Sequence, residues 1–502
     1  MPLNELAPHV FRGTFPVQAG SLGSLLARFD PAHVVGHPTF RNADNIGSEL
    51  RRGMEAALAA FPTERIAFVV SDGTCTLQSP DTSTLDAALS AAVEFLQTLD
   101  ASSRARLLVV ATPYDGYQGD RTPGKGSALK LLFDETAHCP AMQTLILLDG
   151  DLRNDFHPWF RTFAAVIREH RSMWPNRHFF ITARYARHFV DASLTRFIVG
   201  PLTTLMGCYV PGGISGDIVL SAGAVQHERK ALWDDARRRY GTDIATTFDS
   251  IADPETVVYE VYLGAKLHDI TDEAKLSVMP GEVIGSALNR LLHYEDLDGR
   301  ISRLLVSQEP LGRPVTWGPE KTGIAFIDPG YTDVFDVDRK RHTLLSGFAR
   351  YEEAMKQTLN PKTFLDIHHR VRALENASTH DSDPVLFLGV TRDFWIRLLY
   401  ECLGHLLAVR DVGAVKDCLS YLYTAAFLEF CREKLERLGA NTYGAVRALQ
   451  KKLGVPPEEA ERFYREEVDA VVESMALSFY RGRRAILDEI NRRTSAFHPP
   501  PR

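Results

Sequence analysis

Six cysteines are spread through this 502-residue chain, and no two stand in a CxxC pair. That spacing argues against a zinc ribbon or a dense disulfide framework and suits a reducing compartment. Long apolar runs are missing too: none approaches the roughly 18–20 residues needed to span a bilayer. The first residues, MPLNELAPHVFRG, lack a basic stretch followed by an apolar one, so no signal peptide is expected. Basic charge is not in excess either. The formal net charge is −7, which leaves no global footprint for nucleic acid. No internal repeat or long low-complexity segment occurs. These absences predict a cytoplasmic globular protein without nucleic-acid or membrane partners. Hydrophobic residues at 45% of 502 positions suffice for two or three domains with sizeable cores.

One further absence is local. GDRTPGKGSALK (119–130) begins like a phosphate-binding P-loop, with Gly119, Gly124 and Lys125 in register, but Gly126 stands where a Mg²⁺-binding hydroxyl belongs. A long excursion containing Pro123 separates it from the preceding strand. What survives is a Gly-rich segment that brings Lys125 to a helix N-terminus, an arrangement able to hold an anion. A bland loop is the alternative.

Strand and helix signals alternate around this segment. HVVGHPTF (33–40), RIAFVVSDGT (65–74), RLLVVATP (106–113) and QTLILLDGD (143–151) are continuous apolar runs, and 45–61, 82–99 and 125–133 have helical spacing. Alternation of this kind predicts an α/β fold with a mostly parallel sheet covered on both faces. Ligands of such sheets sit at the carboxyl ends of the strands. Residues 1–30 read as an N-terminal arm, 31–275 as the α/β domain, and 276–502 as a mainly α-helical domain with Pro/Gly-rich breaks near 308–334. Its aromatic helices suit either a packed core or a homodimer interface.

Chemistry-bearing residues fall at those strand ends. Asp149-Gly150-Asp151 follows an apolar strand, and two carboxylates there suit Mg²⁺ or Mn²⁺, although a solvated turn has the same composition. Asp72 in SDGT is either an ordinary Asp-Gly turn or a nucleoside contact. His268 in YLGAKLHD matters only as a third ligand beside Asp151. DIHHR (366–370) reads as surface, because adjacent histidines diverge on a helix.

Together TPGKGSALKLLFDET, LILLDGDLRN, YARHFVDASLTRFIVGPLTTLMG, PGGISGDIVLS, RYGTDIATTF and YLGAKLHD, in this order, resemble motifs of the GT-A-fold nucleotide-sugar glycosyltransferases, the group of mannosylglycerate synthases and the related glucosyl-3-phosphoglycerate and glucosylglycerate synthases. The resemblance covers roughly 33–275. It implies a Rossmann-like GT-A domain and a retaining hexosyltransferase, with glucose or mannose moved from a UDP or GDP donor to a small hydroxy acid such as D-glycerate. On this resemblance Asp149, Asp151 and His268 hold the Mn²⁺ or Mg²⁺. Asp151, Lys125 and Asp243 serve the reaction, and Pro38, Asp72, Lys125, Asp149, Gly216 and Asp217 serve the donor. Arg187 and Thr195 hold the acceptor carboxylate; in a helical segment they would lie near one face with Asp191 between them. The sequence departs from the pattern at GHPTFRN and at Ser215. Two other classes stay open: a P-loop-like nucleotide phosphotransferase or NTPase using Lys125, and a non-catalytic sugar-nucleotide-binding protein.

Overall fold

The structure is a computed structural model that describes residues 3–15, 20–75, 80–114, 123–268, 273–326, 337–376, 387–438 and 445–497. It divides into two compact units. The first comprises Met1–Tyr185, Ile214–Leu276 and Pro314–Ala325; the second comprises Ala186–Gly213, Ser277–Arg313 and Phe326–Arg502.

The first unit is built on a sheet of ten strands among the described residues: β1 (Asn4–Ala7), β2 (Val10–Arg12), β3 (His33–Thr39), β4 (Ile66–Asp72), β5 (Leu107–Pro113), β6 (Thr144–Leu147), β7 (His178–Ala186), β8 (Ile218–Ser221), β9 (Thr256–Ala265) and β10 (Val315–Trp317). Their order is β1-β2-β5-β4-β3-β6-β8-β7-β9-β10. Strands β2, β5, β4, β3 and β6 run parallel, as do β9 and β10. Only β1 against β2, and β8 against β6 and β7, pair antiparallel among the registers recorded. The four strands expected from the sequence form the central parallel block. Residues 4–12 of the expected arm add two edge strands, and helix Ser21–Phe29 packs beside them.

Continuous apolar strands are explained by burial on both faces. Along β4, Phe68 and Val70 point into one core with Ile46, Leu50, Leu85, Phe160 and Phe163. Ala67 and Val69 point into the opposite core with Leu26, Leu129, Leu132 and Val225. The alternation is the two-residue period of a strand. Helices Ala43–Ala60, Ser83–Thr98 and His157–Met173 supply the first core, and Ser21–Phe29, Lys125–Thr136 and Ala222–Lys230 the second.

The second unit is mainly helical. Arg392–Val409 and Val412–Leu438 match the expected helices closely. The stretch 457–493, expected as one helical run, is instead Pro457–Arg465, a π-turn Glu466–Ala470, Val471–Arg481 and Ala485–Phe497. At the last break Tyr400 donates to the Phe479 carbonyl (2.8 Å) and lies against Gly482, where a Cβ would meet Tyr400 Cζ at 3.2 Å. Helix Pro361–Asn376 carries the DIHHR pair, with His369 exposed. No helix among the described residues is long and apolar enough to cross a membrane.

Two buried histidines make the first unit acid-sensitive. His33 bonds Thr144 Oγ1 (2.7 Å) and stacks on Phe61; His37 bonds Glu49 Oε1 (2.9 Å). Burial pushes both pKa values down to about 4. Between that value and the ordinary 6.5 the unfolded chain binds protons that the folded chain refuses. For His33 stability therefore falls as pH drops through this window, by roughly 1.4 kcal/mol per pH unit; at His37 the buried Glu49 beside it, whose pKa burial raises, takes up a proton in the folded chain and opposes that loss. Measured by urea unfolding between pH 7 and 5, the stability of His33→Gln should fall less steeply with pH than that of the wild type; identical slopes would contradict the His33 contribution.

Candidate functional site

Topology gathers the site. Strands β3, β4 and β6 end at one edge of the sheet. Strand β8 runs antiparallel to β6, with Ile218 opposite Leu147, so Gly216 and Asp217, just before β8, arrive at that same edge. Segment 266–268 follows the end of β9, and Leu152 bridges to His268. Helices Lys125–Thr136 and Thr242–Ala252 each bring a charged residue of their first turn, Lys125 and Asp243.

Asp149 is the centre. Its Oδ1 lies 2.8 Å from Lys125 Nζ and its Oδ2 2.6 Å from Lys266 Nζ. Lys125 also reaches Asp243 Oδ2 (2.9 Å). Lys266 also reaches Asp217 Oδ2 (2.6 Å) and the Ser215 carbonyl (2.8 Å). Asp217 in turn accepts from the Asp149 N–H (2.9 Å) and from Tyr185 (2.5 Å). Lys266 Nζ sits 5.4 Å from the Tyr185 ring centroid, within cation–π range.

The charges have distinct fates. Burial works against the Asp149 carboxylate, but the two lysines overcome it and hold its pKa far below the ordinary value. Burial likewise opposes the Lys125 ammonium, and Asp149 and Asp243 overcome it, so Lys125 stays charged. Asp151 moves the other way: burial, Asp149 and Asp217 raise its pKa against the pull of Lys266 and His268. Asp243 is raised by burial and Asp149 despite Lys125, whose charge it shares with Asp149. One oxygen of Asp243, Oδ1, is buried with no hydrogen-bond partner among the described residues.

Three glycines let the backbones meet. Gly216 has φ +80°, and a Cβ there would lie 2.8 Å from Asp149 Cγ. A Cβ on Gly150 would meet Thr39 Cγ2 at 2.8 Å and the Pro38 carbonyl oxygen at 3.1 Å, which sets the Pro38 loop against the Asp149–Asp151 segment. A Cβ on Gly126 would overlap the Arg237 carbonyl oxygen and come within 2.7 Å of the Arg238 carbonyl carbon. Gly126 N–H also donates to Arg239 O (3.1 Å). The position where a P-loop carries its hydroxyl is thus a backbone-on-backbone contact with no room for a side chain. Gly119 lies outside the described residues.

The other sequence candidates fall differently. Asp72 is fully buried, and its carboxylate accepts from Thr39 Oγ1 (2.9 Å), Thr74 N (3.0 Å), Thr74 Oγ1 (3.0 Å) and Cys75 N (3.4 Å). Those bonds tie the ends of β3 and β4 together, the turn role the sequence also allowed. Arg187 and Thr195 belong to the second unit. Their segment is not a continuous helix, so the one-face alignment that a helix would give does not arise. Arg187 follows β7 in irregular chain, Ala192 has φ +57°, and a π-turn starts at Thr195. The cause is Arg196, which is buried and donates to the carbonyls of Arg187 (3.2 Å), His188 (3.0 Å), Phe189 (2.9 Å) and Asp191 (2.7 Å). It satisfies groups that helical bonds would otherwise satisfy. Arg187 itself pairs with Asp191 at 2.9 Å.

A divalent cation fits one part of the cluster. Sites for Mg²⁺ or Mn²⁺ combine one or two carboxylates with substrate phosphates. Asp151, whose carboxylate makes no hydrogen bond or ion pair among the described residues, lies beside His268 and offers that donor set. Among the described residues no group of three or more His, Cys, Asp or Glu side chains is placed to hold a metal ion by itself. Both oxygens of Asp149 are taken by lysines, so its coordination to a metal requires their release.

No family model and no curated protein matches the chain. Among solved structures it is similar to glucosyl-3-phosphoglycerate synthase from Mycobacterium tuberculosis in complex with phosphoglyceric acid: 17% identity and TM-score 0.36, over 56% of this chain and 87% of that one. The complex of that enzyme with Mn²⁺, UDP-glucose and glycerol 3-phosphate gives the same values. A structure described as a mycobacterial protein is 19% identical, with TM-score 0.36 over 56% of this chain and 80% of that one. At these values the likenesses assign no activity to this chain.

Sequence reasoning missed Lys266 and Tyr185. A usable signal existed for the lysine: directly after the apolar run VVYEVYLGA, it must be buried and therefore paired. Ser215, seen only as a departure from a glycine, binds the Ala183 N–H (3.2 Å) and the Asp217 carbonyl (3.0 Å) and so shapes the turn before Asp217.

Gly126→Ser, which restores the P-loop pattern, should lower the melting temperature by several degrees, the effect of roughly 1–3 kcal/mol of overpacking. It should confer no Mg-ATP binding. A stable variant that binds Mg-ATP would refute the close contact.

Proposed function

We propose that this chain is a metal-assisted, retaining glycosyltransferase that moves a hexose, glucose or mannose, from a UDP or GDP sugar to a small hydroxy acid such as D-glycerate. The observation that carries the reading is the carboxylate cluster at the carboxyl edge of the sheet. Among the described residues Asp149, Asp217 and Asp243 are ion-paired to Lys125 and Lys266, while Asp151 lies near Asp149 and Asp217 without an ion-paired lysine. A divalent cation would offset the repulsion among these carboxylates, and Asp151 and His268 are the residues that would hold it. When bound, such a cation neutralises charge on a diphosphate leaving group.

The residues divide the work. Lys125, kept charged by Asp149 and Asp243, supplies a point charge for the diphosphate as its bond to the anomeric carbon breaks. Asp149 holds both lysines in place. The Pro38 loop, braced by Asp72, would lie along the nucleoside. Gly216, packed against the Asp149 carboxylate, would border the sugar pocket with Asp217, and Asp243 would take a sugar hydroxyl on Oδ1, which has no hydrogen-bond partner among the described residues. We assign no covalent nucleophile: both oxygens of Asp217 are taken by Lys266, Tyr185 and the Asp149 N–H.

On the acceptor side Arg187 and Thr195 are our proposed carboxylate ligands. Arg187 already pairs with the Asp191 carboxylate, so an acceptor would exchange with that partner. A guanidinium grips a carboxylate with two parallel bonds. A phosphotransferase reading is disfavoured by the backbone contact at Gly126.

Asp151→Asn should keep its fold and lose roughly 100-fold or more in metal-stimulated transfer. The assay is a mass-spectrometric screen of nucleotide sugars against small hydroxy acids. Wild-type rates in that variant would sink the metal assignment, and donor binding without transfer to any acceptor would favour a non-catalytic binder. Arg187→Lys should raise the acceptor KM about tenfold or more while donor affinity holds, because an ammonium cannot reproduce the fork; an unchanged KM would remove Arg187 from the acceptor site.

A further inference from the structure

We infer that Glu49 and Arg52 are positioning residues for the metal-binding segment, a role that rests on the glycosyltransferase reading above. Both lie on helix Ala43–Ala60, three residues apart and therefore on one face. Glu49 Oε2 accepts the N–H of Leu152 (2.9 Å). Arg52 donates through Nη2 to the Leu152 carbonyl (2.7 Å) and through Nε to the Asn154 carbonyl (3.0 Å). One helix face thus grips both polar groups of the residue next to Asp151.

The consequence is geometric. The Leu152 N–H belongs to the peptide that joins it to Asp151, so fixing it fixes the rotation that aims the Asp151 side chain. Leu152 is also the bridge partner of His268, and Arg153 N–H donates to the Leu267 carbonyl (2.8 Å). Holding Leu152 therefore sets Asp151 and His268 together. Glu49 is itself anchored: it is fully buried and bonded to His37. The half-buried Arg52 lies over the Phe156 ring, 5.8 Å from its centroid. A loop needing only to be covered would be served by apolar packing. Three directed bonds to the backbone of Leu152 and Asn154 are what a ligand-bearing loop requires. Partners of this outer kind change metal affinity by about 10–100-fold when removed.

The test uses the full-length chain, with free Mn²⁺ read by electron paramagnetic resonance in titrations with UDP and, in parallel, GDP. Arg52→Met should raise the apparent Mn²⁺ Kd about 10–100-fold. Its transfer rate should recover at saturating Mn²⁺, which a mere loss of folded protein would not allow. Arg52→Lys, keeping the charge and reaching one carbonyl, should fall between; it decides the matter if Arg52→Met melts early. Wild-type Mn²⁺ affinity in Arg52→Lys and Arg52→Met, or a turnover loss that Mn²⁺ cannot restore, would overturn the positioning role. A wild-type chain that binds Mn²⁺ with neither nucleotide would instead overturn the metal reading itself, and the positioning role with it.

Discussion

The double ion pair at Asp149 is the constraint on which the rest of the site depends. One carboxylate joins a helix N-terminus, a strand end and the segment after a second strand through Lys125 and Lys266. Each charge is partly withdrawn from water, and a single pair so placed barely offsets its desolvation. Here Asp217, Asp243, Tyr185 and the Ser215 carbonyl supply the remaining partners. The network is stable as a whole, and removing one member leaves another charge stranded. That interdependence is why the four aspartates cannot be ranked by separate contributions.

Such a network forms only if backbones approach closely, and the glycines supply the space. At Gly216, Gly150 and Gly126 a Cβ would collide with Asp149, Thr39 and the Arg237–Arg238 backbone respectively. The Arg237–Arg239 turn is itself fixed by a buried triad, in which Arg237 bonds Glu228 and Asp249 and lies 4.2 Å from the Trp233 ring centroid. The resemblance of GDRTPGKG to a P-loop therefore has a different cause. Glycine at 126 serves packing against that turn, and Lys125 reaches inward to carboxylates.

The central sheet was legible because its strands are buried on both faces and read as unbroken apolar runs. Strands β1, β2 and β10 were not, since three or four residues carry no measurable period and pair only because the sheet edge is available. The segment 187–195, which would align Arg187 with Thr195 only if helical, is not a continuous helix. Arg196, the residue that follows it, bonds the carbonyls of that segment and overrides its local preference. Of the site, the aspartates at strand ends could be read, because topology alone sends them to one edge. Their partners Lys266 and Tyr185 could not be assigned, because pairing is fixed by the antiparallel insertion of β8, which no local pattern announces.

That insertion also separates the fates of two carboxylates only one residue apart. Asp149 faces the lysines and is held ionised; Asp151, past Gly150, faces Asp149 and Asp217 and has its pKa raised. Identical side chains on one loop thus become a fixed structural anion and a carboxylate whose charge burial and its acidic neighbours disfavour. If both were paired to lysines, the segment would be a salt-bridged turn with no demand for a ligand. If neither were, mutual repulsion would keep at least one protonated and the loop loose. The arrangement observed holds one carboxylate of the segment between two lysines and leaves the other, Asp151, beside its acidic neighbours, and on the proposed reading that second carboxylate is the one a divalent cation would relieve.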